Sequence, residues 1–327
     1  MKSIKKIGVF TSGGDSPGMN AAIRAVVRSS FYYGVKVSGI YRGYEGMIEG
    51  DISDEMDVRS VNHILQRGGT MLKSARSTEF MTKEGRAKAF AQIEKLGIDA
   101  LVAIGGNGTF TGAKIFSEEF GVPVVGLPGT IDNDLHGTDF TIGFDTANNT
   151  VIQSVDSIRN TAQSHNRLFF VEVMGRDSGY IAAYTGLASG AVSILIPERE
   201  SSLEELIQRL EEGRLNNKTS SIVIVSEGNK WGDASGIAKQ LKEKVGYYDS
   251  KVTILGHVQR GGIPSCFDRV LASRLGVAAV EGLLNGKTNV MVGISNNRIS
   301  YTTLTDAIES KDAMDNEIIR IADILSI

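Results

Sequence analysis

The sequence predicts an α/β fold, a doubly wound architecture with largely parallel sheets that are covered by helices on both faces. Three observations support this class. Short apolar runs recur along the whole chain, each run ends in glycine or polar residues, and a stretch compatible with a helix follows each run. Unalternated apolar runs are typical of strands buried on both faces, and repeated strand-helix pairs are typical of parallel sheets.

Eight apolar runs carry the strand predictions. In chain order they are IGVF, VSGIY, ALVAIGG, PVVGLPG, LFFVEVMG, VSILIPE, SSIVIVSEG and VTILGH. The length of 327 residues favours two sheet domains. We expect their boundary near residues 142–148, with the chain crossing back near His257. The charged stretches 203–213 and 239–244 predict solvated helix faces.

The composition favours a small-molecule partner. A net charge of −3 gives no broad attraction to nucleic acid or to anionic membranes. The single cysteine, Cys266, forms no internal disulfide, and we expect it to be a small core residue. The first apolar stretch is too short for a signal peptide, and no run of about eighteen apolar residues predicts a membrane helix. We therefore expect a cytoplasmic protein.

Two glycine-rich turns follow predicted strands and precede predicted helices. The first is TSGGDSPGMN at residues 11–20, and the second is GGNGT at residues 105–109. Glycine lets backbone N–H groups approach phosphate oxygens, and the dipole of the following helix adds attraction. Neither turn is a Walker A or GxGxxG sequence. One such turn alone is as often a plain tight turn, but two in one sheet favour a phosphate cleft.

A third loop, PGTIDND at residues 128–134, carries two carboxylates at a strand end. Such a loop is often only an Asx turn. In a phosphoryl transfer, however, Asp132 could accept a proton from an attacking hydroxyl and Asp134 could hold Mg²⁺ or its waters. The loop is therefore a candidate catalytic element.

Basic and hydrogen-bonding side chains lie near the other strand ends. An arginine fork matches two phosphate oxygens, although most single arginines are surface residues. The two histidines of this set lack metal-ligand spacing and favour a hydrogen-bonding or structural role. The set comprises Arg76, His165, Arg167, Arg176, Lys251, His257 and Arg260.

Six segments in this order resemble the bacterial ATP-dependent 6-phosphofructokinases over nearly the full chain: TSGGDSPGMNAAIR, GGNGTF, PGTIDND, SHNR, VEVMGRDSG and LGHVQRGG. The resemblance implies a homotetramer of subunits with two Rossmann-like domains. It implies Mg²⁺-dependent transfer of the ATP γ-phosphoryl group to the 1-hydroxyl of fructose 6-phosphate, giving fructose 1,6-bisphosphate and ADP in glycolysis. The larger, ATP-binding domain would comprise residues 1–143 and 259–309, and the smaller, sugar-binding domain residues 144–258 and 310–327.

The resemblance also implies site residues. Asp132 is the expected base, assisted by Thr130, Arg76 and Arg176, while Asn107 and Asp134 are expected at the metal. The implied ATP site comprises Gly14, Arg76, Ser77, Gly106, Asn107, Gly108 and Thr109. The implied fructose 6-phosphate site comprises Thr130, Ile131, Asp132, Arg167, Met174, Gly175, Arg176, Glu227, Lys251, His257, Val258, Gln259 and Arg260. Within this set, Arg167 and Lys251 would reach across from a neighbouring subunit.

Several positions depart from the family pattern. Asn107 stands where an aspartate associated with Mg²⁺ is usual, and Lys251 replaces an arginine fork with a point charge. In the effector site, Val192 replaces an acidic metal ligand, Asn216 replaces a lysine and Arg59 is one place from an expected arginine. The matching effector positions are Arg24, Arg28, Arg159, Gly190 and Lys218. The effector site is thus only partly present, and the sequence does not decide whether ADP or phosphoenolpyruvate regulates the protein.

Four alternatives accompany this interpretation. Gly108 and Gly129 favour ATP, because the similar pyrophosphate-dependent enzymes usually carry Asp and Lys there. GGNGT resembles the GGDGT of NAD kinases, so another acceptor, such as tagatose 6-phosphate or a nicotinamide nucleotide, is an alternative. Asn107 and Lys251 motivate a regulator that binds these ligands without catalysis. A nicotinamide dehydrogenase fits the sheet but lacks GxGxxG at the first turn.

Overall fold

The computed structural model describes residues 4–165, 167–216, 221–310, 314 and 316–326, and the side chains of Gln163, His165 and Asn316 lie outside the description. Strands alternate with helices along these residues. They form a six-stranded sheet and a four-stranded sheet, both largely parallel and both contacted by helices. This arrangement confirms the predicted α/β class.

Each of the eight predicted apolar runs forms a strand, and two further strands follow near the carboxyl end of the described chain. The strands are β1 (Lys6–Thr11), β2 (Lys36–Ile40), β3 (Ala100–Gly105), β4 (Val124–Pro128), β5 (Leu168–Val173), β6 (Ser193–Leu195), β7 (Ser221–Ser226), β8 (Ser250–Ile254), β9 (Val290–Ser295) and β10 (Arg298–Thr303).

The helices occupy most of the segments between the strands. They are α1 (Met19–Tyr32), α2 (Gly43–Glu49), α3 (Lys83–Lys95), α4 (Asn107–Phe120), α5 (Phe144–His165), α6 (Tyr180–Ala188), α7 (Leu203–Leu215), α8 (Ala234–Val245), α9 (Cys266–Leu284), α10 (Leu304–Glu309) and α11 (Asn316–Leu325), with short 3₁₀ turns at Glu79–Met81 and Gly256–Gln259. Within the described ranges, no helix combines the length and apolarity that a bilayer span requires.

The six-stranded sheet is buried on both faces. Its strand order is β10-β9-β4-β3-β1-β2, and only β10 runs antiparallel to its neighbour. Because side chains alternate along a strand, Val9 joins a core with α1 and α9, while Phe10 joins the opposite core with α2, α3 and α4. The unalternated apolar sequence of these central strands follows from this double burial.

The hairpin of β9 and β10 was missed by the sequence analysis. Ser295 pairs with Arg298 across a two-residue turn, in which Asn296 and Asn297 have φ angles of 49° and 59°. Asparagine tolerates this left-handed conformation, which two-residue hairpin turns require. β10 has a polar sequence and lies half-exposed at the sheet edge, so it lacks the apolar run on which the strand predictions relied.

The four-stranded sheet is parallel throughout, with the order β6-β7-β5-β8. Strands β5 and β7 are central and almost wholly buried. The expectation of a strand buried on both faces is wrong for β8, whose five residues are all half-buried or exposed. The edge position of β8 explains the difference. β8 pairs with β5 on one side and has no neighbouring strand on the other.

A second correction concerns Cys266. The sequence suggested a small core residue, whereas the structure places the side chain at the exposed first position of α9. Ser265 immediately before it caps the helix by accepting a hydrogen bond from the amide of Asp268. The local sequence therefore serves to start α9, with Ser265 as the N-cap. Cys266 is the first residue of the helix, and its side chain is exposed to solvent.

The chain divides into two compact units. Unit 1 comprises Met1–Thr130, Leu135–Thr146 and Arg260–Asp312, and unit 2 comprises Ile131–Asp134, Ala147–Gln259 and Ala313–Ile327. Unit 1 contains the six-stranded sheet and unit 2 the four-stranded sheet.

Candidate active site

Loop 1, residues 12–18, connects β1 to α1 in unit 1. The amide of Ser12 donates a hydrogen bond of 3.0 Å to the carbonyl of Ile104 near the end of β3. Gly18 precedes the first residue of α1 and has a φ angle of 108°, a conformation that favours glycine. Loop 1 is therefore attached to the neighbouring strand end, and a helix N-terminus follows it.

Loop 2, residues 105–109, runs from the last residue of β3 through Gly106 into the first turn of α4. The Thr109 hydroxyl donates a hydrogen bond of 3.0 Å to the carbonyl of Ser12, which joins loop 2 to loop 1. A Cβ atom at Gly105 would lie 2.3 Å from Thr109 Oγ1 and 2.6 Å from the Ser12 carbonyl oxygen. Only glycine fits at this junction without displacing backbone. The N-terminus of α4 begins two residues later at Asn107.

Loop 3, residues 128–130, follows β4. The amide of Gly129 donates to the carbonyl of Gly105 at 3.0 Å, and the Thr141 hydroxyl donates to the carbonyl of Thr130 at 2.6 Å. A Cβ atom at Gly106 would lie 3.6 Å from the Cβ of Thr130. Loops 1, 2 and 3 therefore meet at the carboxyl end of one sheet, where ligands of parallel α/β folds bind.

The segment with Arg76 and Ser77 lies along loop 1. The Ser74 hydroxyl donates to the carbonyl of Gly13 at 2.8 Å, and Thr11 Oγ1 donates to the carbonyl of Lys73 at 2.8 Å. Arg76 is exposed, while the Ser77 hydroxyl accepts a hydrogen bond of 3.2 Å from the amide of Phe80 in the following 3₁₀ turn. This segment adds a solvent-facing cation next to the glycine loops.

Arg260 also packs against loop 1. Its guanidinium donates to the carbonyl of Asp15 at 3.3 Å, and a Cβ atom at Gly14 would lie 1.9 Å from Arg260 Nη1. The family resemblance implies that Gly14 binds the nucleotide and that Arg260 binds the sugar phosphate. Unit 1 places the two residues in direct contact.

Asp132 belongs to unit 2, in the short segment Ile131–Asp134. It is 6% exposed, and the Ser178 hydroxyl donates to its carbonyl oxygen at 2.8 Å. Ile131 is fully buried and Asp134 is half-buried. A second loop of unit 2, the one with Ser178, therefore holds the backbone of the candidate base.

The turn after β5 brings together further residues of the predicted sugar site. Buried Gln259 accepts a hydrogen bond of 3.2 Å from the amide of Met174, while His257 and Val258 beside it are exposed. Arg176 is exposed as well, and its amide donates to Glu227 Oε1 at 2.8 Å.

Arg176 has a left-handed backbone with a φ angle of 52°, after Gly175 at 147°. A residue with a Cβ atom pays a conformational cost in that region. Such residues cluster at functional sites, where the surrounding structure fixes them.

Arg167 and Lys251 lie at the other end of the four-stranded sheet. Both contact Asp249, with distances of 2.6 Å from Arg167 Nε and 2.9 Å from Lys251 Nζ. Hydrogen bonds from Lys251 and Arg167 lower the pKa of the Asp249 carboxyl. The six residues of β5 separate this cluster from Met174 by about 20 Å. Within one chain, these two cations and Arg176 therefore do not converge.

The predicted effector residues fall into two groups. Arg24 and Arg28 share α1, where burial, followed by the charge of Arg28, lowers the pKa of Arg24. In unit 2, the Arg159 guanidinium donates to the carbonyl of Ser189, next to Gly190. Lys218 lies outside the described residues.

Sequence reasoning missed two hydroxyls that support the predicted loops. Thr141 bonds the carbonyl of Thr130, and Ser178 bonds the carbonyl of Asp132. Ser178 lies two residues after Arg176 in the segment VEVMGRDSG, so its place in this motif could have indicated a supporting role. Thr141 lies in no such motif, and its role follows only from the tertiary contact.

The fold and the loops together define a doubly wound α/β protein whose glycine turns lie at the carboxyl ends of parallel strands, with arginines beside them. The sequence profile described as phosphofructokinase matches residues 6–283. A protein of Cytophaga hutchinsonii named ATP-dependent 6-phosphofructokinase is 55% identical over 99% of this chain and 98% of its own. A Thermus thermophilus protein named ATP-dependent 6-phosphofructokinase 1 is 53% identical over 99% of this chain and 100% of its own.

Solved structures agree with these sequence relatives. The phosphofructokinase of Saccharomyces cerevisiae superposes with a TM-score of 0.90 at 38% identity, over 98% of this chain and 48% of the yeast chain. A pyrophosphate-dependent phosphofructokinase from Marinobacter aquaeolei shares the fold, with a TM-score of 0.83 at 23% identity over 99% of this chain and 91% of its own. The chain belongs to the phosphofructokinase family.

The left-handed backbone of Arg176 yields a stability prediction. Arg176→Gly and Arg176→Ala both remove the guanidinium, but only alanine keeps the Cβ atom that disfavours a φ of 52°. We expect the glycine variant to unfold with a free energy about 1 kcal/mol higher than that of the alanine variant. Urea titration followed by circular dichroism measures the difference. Equal stabilities would show that the turn carries no conformational cost.

Proposed function

We propose that this protein transfers the γ-phosphoryl group of ATP to the 1-hydroxyl of fructose 6-phosphate and releases fructose 1,6-bisphosphate and ADP. The observation that carries the proposal is the 55% identity, over 99% of the chain, to a relative named for this activity. The glycine loops of unit 1 support the nucleotide half of the reaction. The cluster of Asp132, Arg176 and Glu227 in unit 2 supports the sugar half.

The choice of ATP as donor is supported by the space around two glycines. A Cβ atom at Gly129 would lie 3.0 Å from Ile104 Cγ2 and 3.1 Å from Met19 Cε, so a lysine there would require these core side chains to move. A Cβ atom at Gly108 would have no neighbour within 4 Å. The open space at Gly108 suits a nucleotide that extends past the start of α4.

Nucleotide binding in this proposal rests on backbone groups of unit 1. The N-terminus of α4 begins at Asn107, and its first N–H groups and dipole favour phosphate oxygens. Gly14, Gly106, Gly108 and Thr109 border this edge, and Ser77 lies in the segment attached to loop 1. Exposed Arg76 supplies a fork for the terminal phosphates.

The proposed base is Asp132, which removes the proton from the 1-hydroxyl as that oxygen attacks the γ-phosphorus. Its 6% exposure and the Ser178 hydrogen bond to its carbonyl fix the position of the residue. Alignment of this kind supplies a large part of catalysis in phosphoryl transfer. Arg176 stabilises the negative charge that develops on the transferred group, and Thr130 positions the loop before Ile131.

Sugar binding in this proposal uses the turn after β5 and the turn after β8. Met174, Gly175, His257, Val258 and Gln259 surround the sugar, and Glu227 accepts hydrogen bonds from its hydroxyls. The buried amide of Gln259 supports this role, because it ties the two turns together at Met174. Arg260 binds the 6-phosphate.

The donor set fits Mg²⁺ that arrives with the nucleotide. Mg²⁺ in nucleotide sites is held by phosphates, waters and one or two protein oxygens. Half-buried Asp134 and the amide oxygen of Asn107 offer such oxygens, and the described residues contain no cluster of three or more His, Cys, Asp and Glu side chains suited to a metal. Bound Mg²⁺ would neutralise charge on the β- and γ-phosphates.

A complete sugar-phosphate site requires a second subunit in this proposal. Arg167 and Lys251 lie about 20 Å along β5 from Met174, too far to share a phosphate with it in one chain. A neighbouring subunit of a homotetramer would supply both cations. We place this assembly in the cytoplasm.

The predicted effector residues form a phosphate site in this proposal. That site holds no metal, because buried Val192 offers no carboxylate.

Incubation of the purified protein with fructose 6-phosphate, ATP and Mg²⁺ tests the activity directly. Mass spectrometry should detect fructose 1,6-bisphosphate and ADP in equal amounts, and chelation with EDTA should stop the reaction until Mg²⁺ is restored. Tagatose 6-phosphate as acceptor and pyrophosphate as donor serve as comparisons. Binding of both substrates without product, or turnover with pyrophosphate alone, would contradict the proposal.

The role of Asp132 yields a kinetic prediction. Asp132→Asn keeps the shape of the side chain but removes the proton acceptor, so kcat should fall by about a hundredfold or more while both KM values change little. The matched control is Asp177→Asn, which removes an exposed carboxylate from the neighbouring turn and should keep normal turnover. A near-normal kcat in Asp132→Asn would exclude this residue as the base.

A further inference from the structure

Asp268 is a fully buried carboxylate in the first turn of α9. Its Oδ1 accepts a hydrogen bond of 2.9 Å from the amide of Gly143. Its Oδ2 accepts 2.8 Å and 2.5 Å hydrogen bonds from the amide and hydroxyl of Thr146. A buried charge that is held by neutral donors is costly, and such a group calls for an explanation.

The partners of Asp268 belong to a turn that supports loop 3. We name residues 141–146 the return turn, because this segment brings the chain back alongside loop 3 and into the first turn of α5. Ile142 forms a bridge with Gly129, and the Thr141 hydroxyl bonds the carbonyl of Thr130. The hydrogen bonds to Gly143 and Thr146 therefore fix the segment that holds Thr130.

Asp268 also connects the return turn to the segment after Arg260. Thr146 Oγ1 donates to Asp268 and accepts a hydrogen bond of 2.9 Å from the amide of Ser265. The Ser265 hydroxyl donates to Asp145 Oδ2 at 2.5 Å. Because Thr146 uses its proton on Asp268, this chain of hydrogen bonds has one direction, and it requires an acceptor at Asp268 Oδ2.

Loop 1 packs against the same group of residues. A Cβ atom at Gly18 would lie 2.7 Å from Ile142 Cγ2 and 3.6 Å from Asp268 Cβ. A Cβ atom at Gly143 would lie 2.6 Å from the Cβ of Ser16. The return turn and α9 therefore pack so closely against loop 1 that Gly18 and Gly143 leave no room for a side chain.

We infer that Asp268 is a positioning residue of the phosphoryl-transfer site: its ionised carboxylate holds the return turn against loop 1 and α9, and so sets the placement of Thr130 and Arg260. The inference rests on the proposed function. It assigns Asp268 no contact with substrate. If the carboxyl carried a proton, the Gly143 amide at Oδ1 or the Thr146 donors at Oδ2 would meet a second donor, whichever oxygen was protonated.

The titration of Asp268 gives this role a pH signature. Burial raises the pKa of Asp268 to about 6, the hydrogen bonds from Thr146 and Gly143 oppose that rise, and the nearby charge of Asp145 adds to it. On α9, the Arg269 guanidinium bonds the carbonyl of Pro264. The carboxyl of Asp268 loses its proton near pH 4 in the unfolded chain and near pH 6 in the folded protein. The free energy of unfolding therefore decreases as the pH rises from about 4 to about 6. Activity should follow the ionised fraction of Asp268 and rise between about pH 5 and about pH 7.

Three variants test the inference. Asp268→Asn is isosteric but presents an N–H₂ group to donors, and Thr146→Val removes the hydroxyl that bonds Asp268, whereas Thr146→Ser keeps it. We expect kcat/KM for fructose 6-phosphate to fall by about tenfold or more in the first two variants, as for other small misplacements of site residues. The serine variant should stay near the wild-type value. Melting temperatures identify the variants that fold.

The pH profile separates positioning from plain structural support. Thr146→Val removes a hydrogen bond that lowers the pKa of Asp268, so the acid limb of its kcat/KM profile should move to higher pH, and Thr146→Ser should restore it. Folded variants with wild-type kcat/KM and an unchanged acid limb would overturn the inference. If Asp268→Asn does not fold, the two threonine variants decide the outcome.

Failure of the proposed function would be visible in the wild type, which would then form no fructose 1,6-bisphosphate. In that case calorimetric titration with ATP tests the positioning role independently of any reaction. Folded Asp268→Asn should bind ATP about tenfold more weakly than the wild type, since loop 1 and Thr130 lose their support. Equal ATP affinities would overturn the inference.

Discussion

The shared register of β1, β3 and β4 is the constraint on which the site depends. Thr11 pairs with Ile104, and Gly105 pairs with Pro128, so the three parallel strands end at one level of the sheet. Neighbouring strands lie about 4.8 Å apart, and the loops that follow them are therefore adjacent. A register shift of one residue would move Gly105 away from the Ser12 carbonyl and open the junction of loops 1 and 2.

In the proposed mechanism, phosphate binding and proton transfer rest on different physical means. Unit 1 offers backbone N–H groups and a helix dipole, which need small residues at the strand ends. Unit 2 offers buried Asp132 and the constrained turn of Arg176, which need a well-packed support. Thr130 and Asp132 are two residues apart in the sequence, yet they belong to different units. The boundary between the two units thus falls inside the PGTIDND loop, between Thr130 and Ile131.

The sequence predicted the parts of the fold that depend on apolar runs and glycine turns. Both signals are local, which is why eight strands and the loop positions were recognised. It missed the β9 and β10 hairpin, because a polar edge strand has no apolar run, and it expected a buried Cys266 where a helix cap places an exposed one. Ser265 and Asp268 form a helix-capping pattern that is visible in the sequence. The contact between Asp268 and Thr146 joins residues far apart in the sequence, so no local pattern indicated that Asp268 is buried.

The most direct test of the account is the affinity for ATP of a variant at the junction of loops 1 and 2. In Gly105→Ala the added methyl group would meet Thr109 Oγ1 at 2.3 Å and the Ser12 carbonyl at 2.6 Å, which forces the two loops apart. Calorimetry should show ATP binding weakened by about tenfold or more, with fructose 6-phosphate binding within about twofold of the wild type. Unchanged ATP affinity in a folded variant would contradict the claim that these strand-end loops hold the nucleotide.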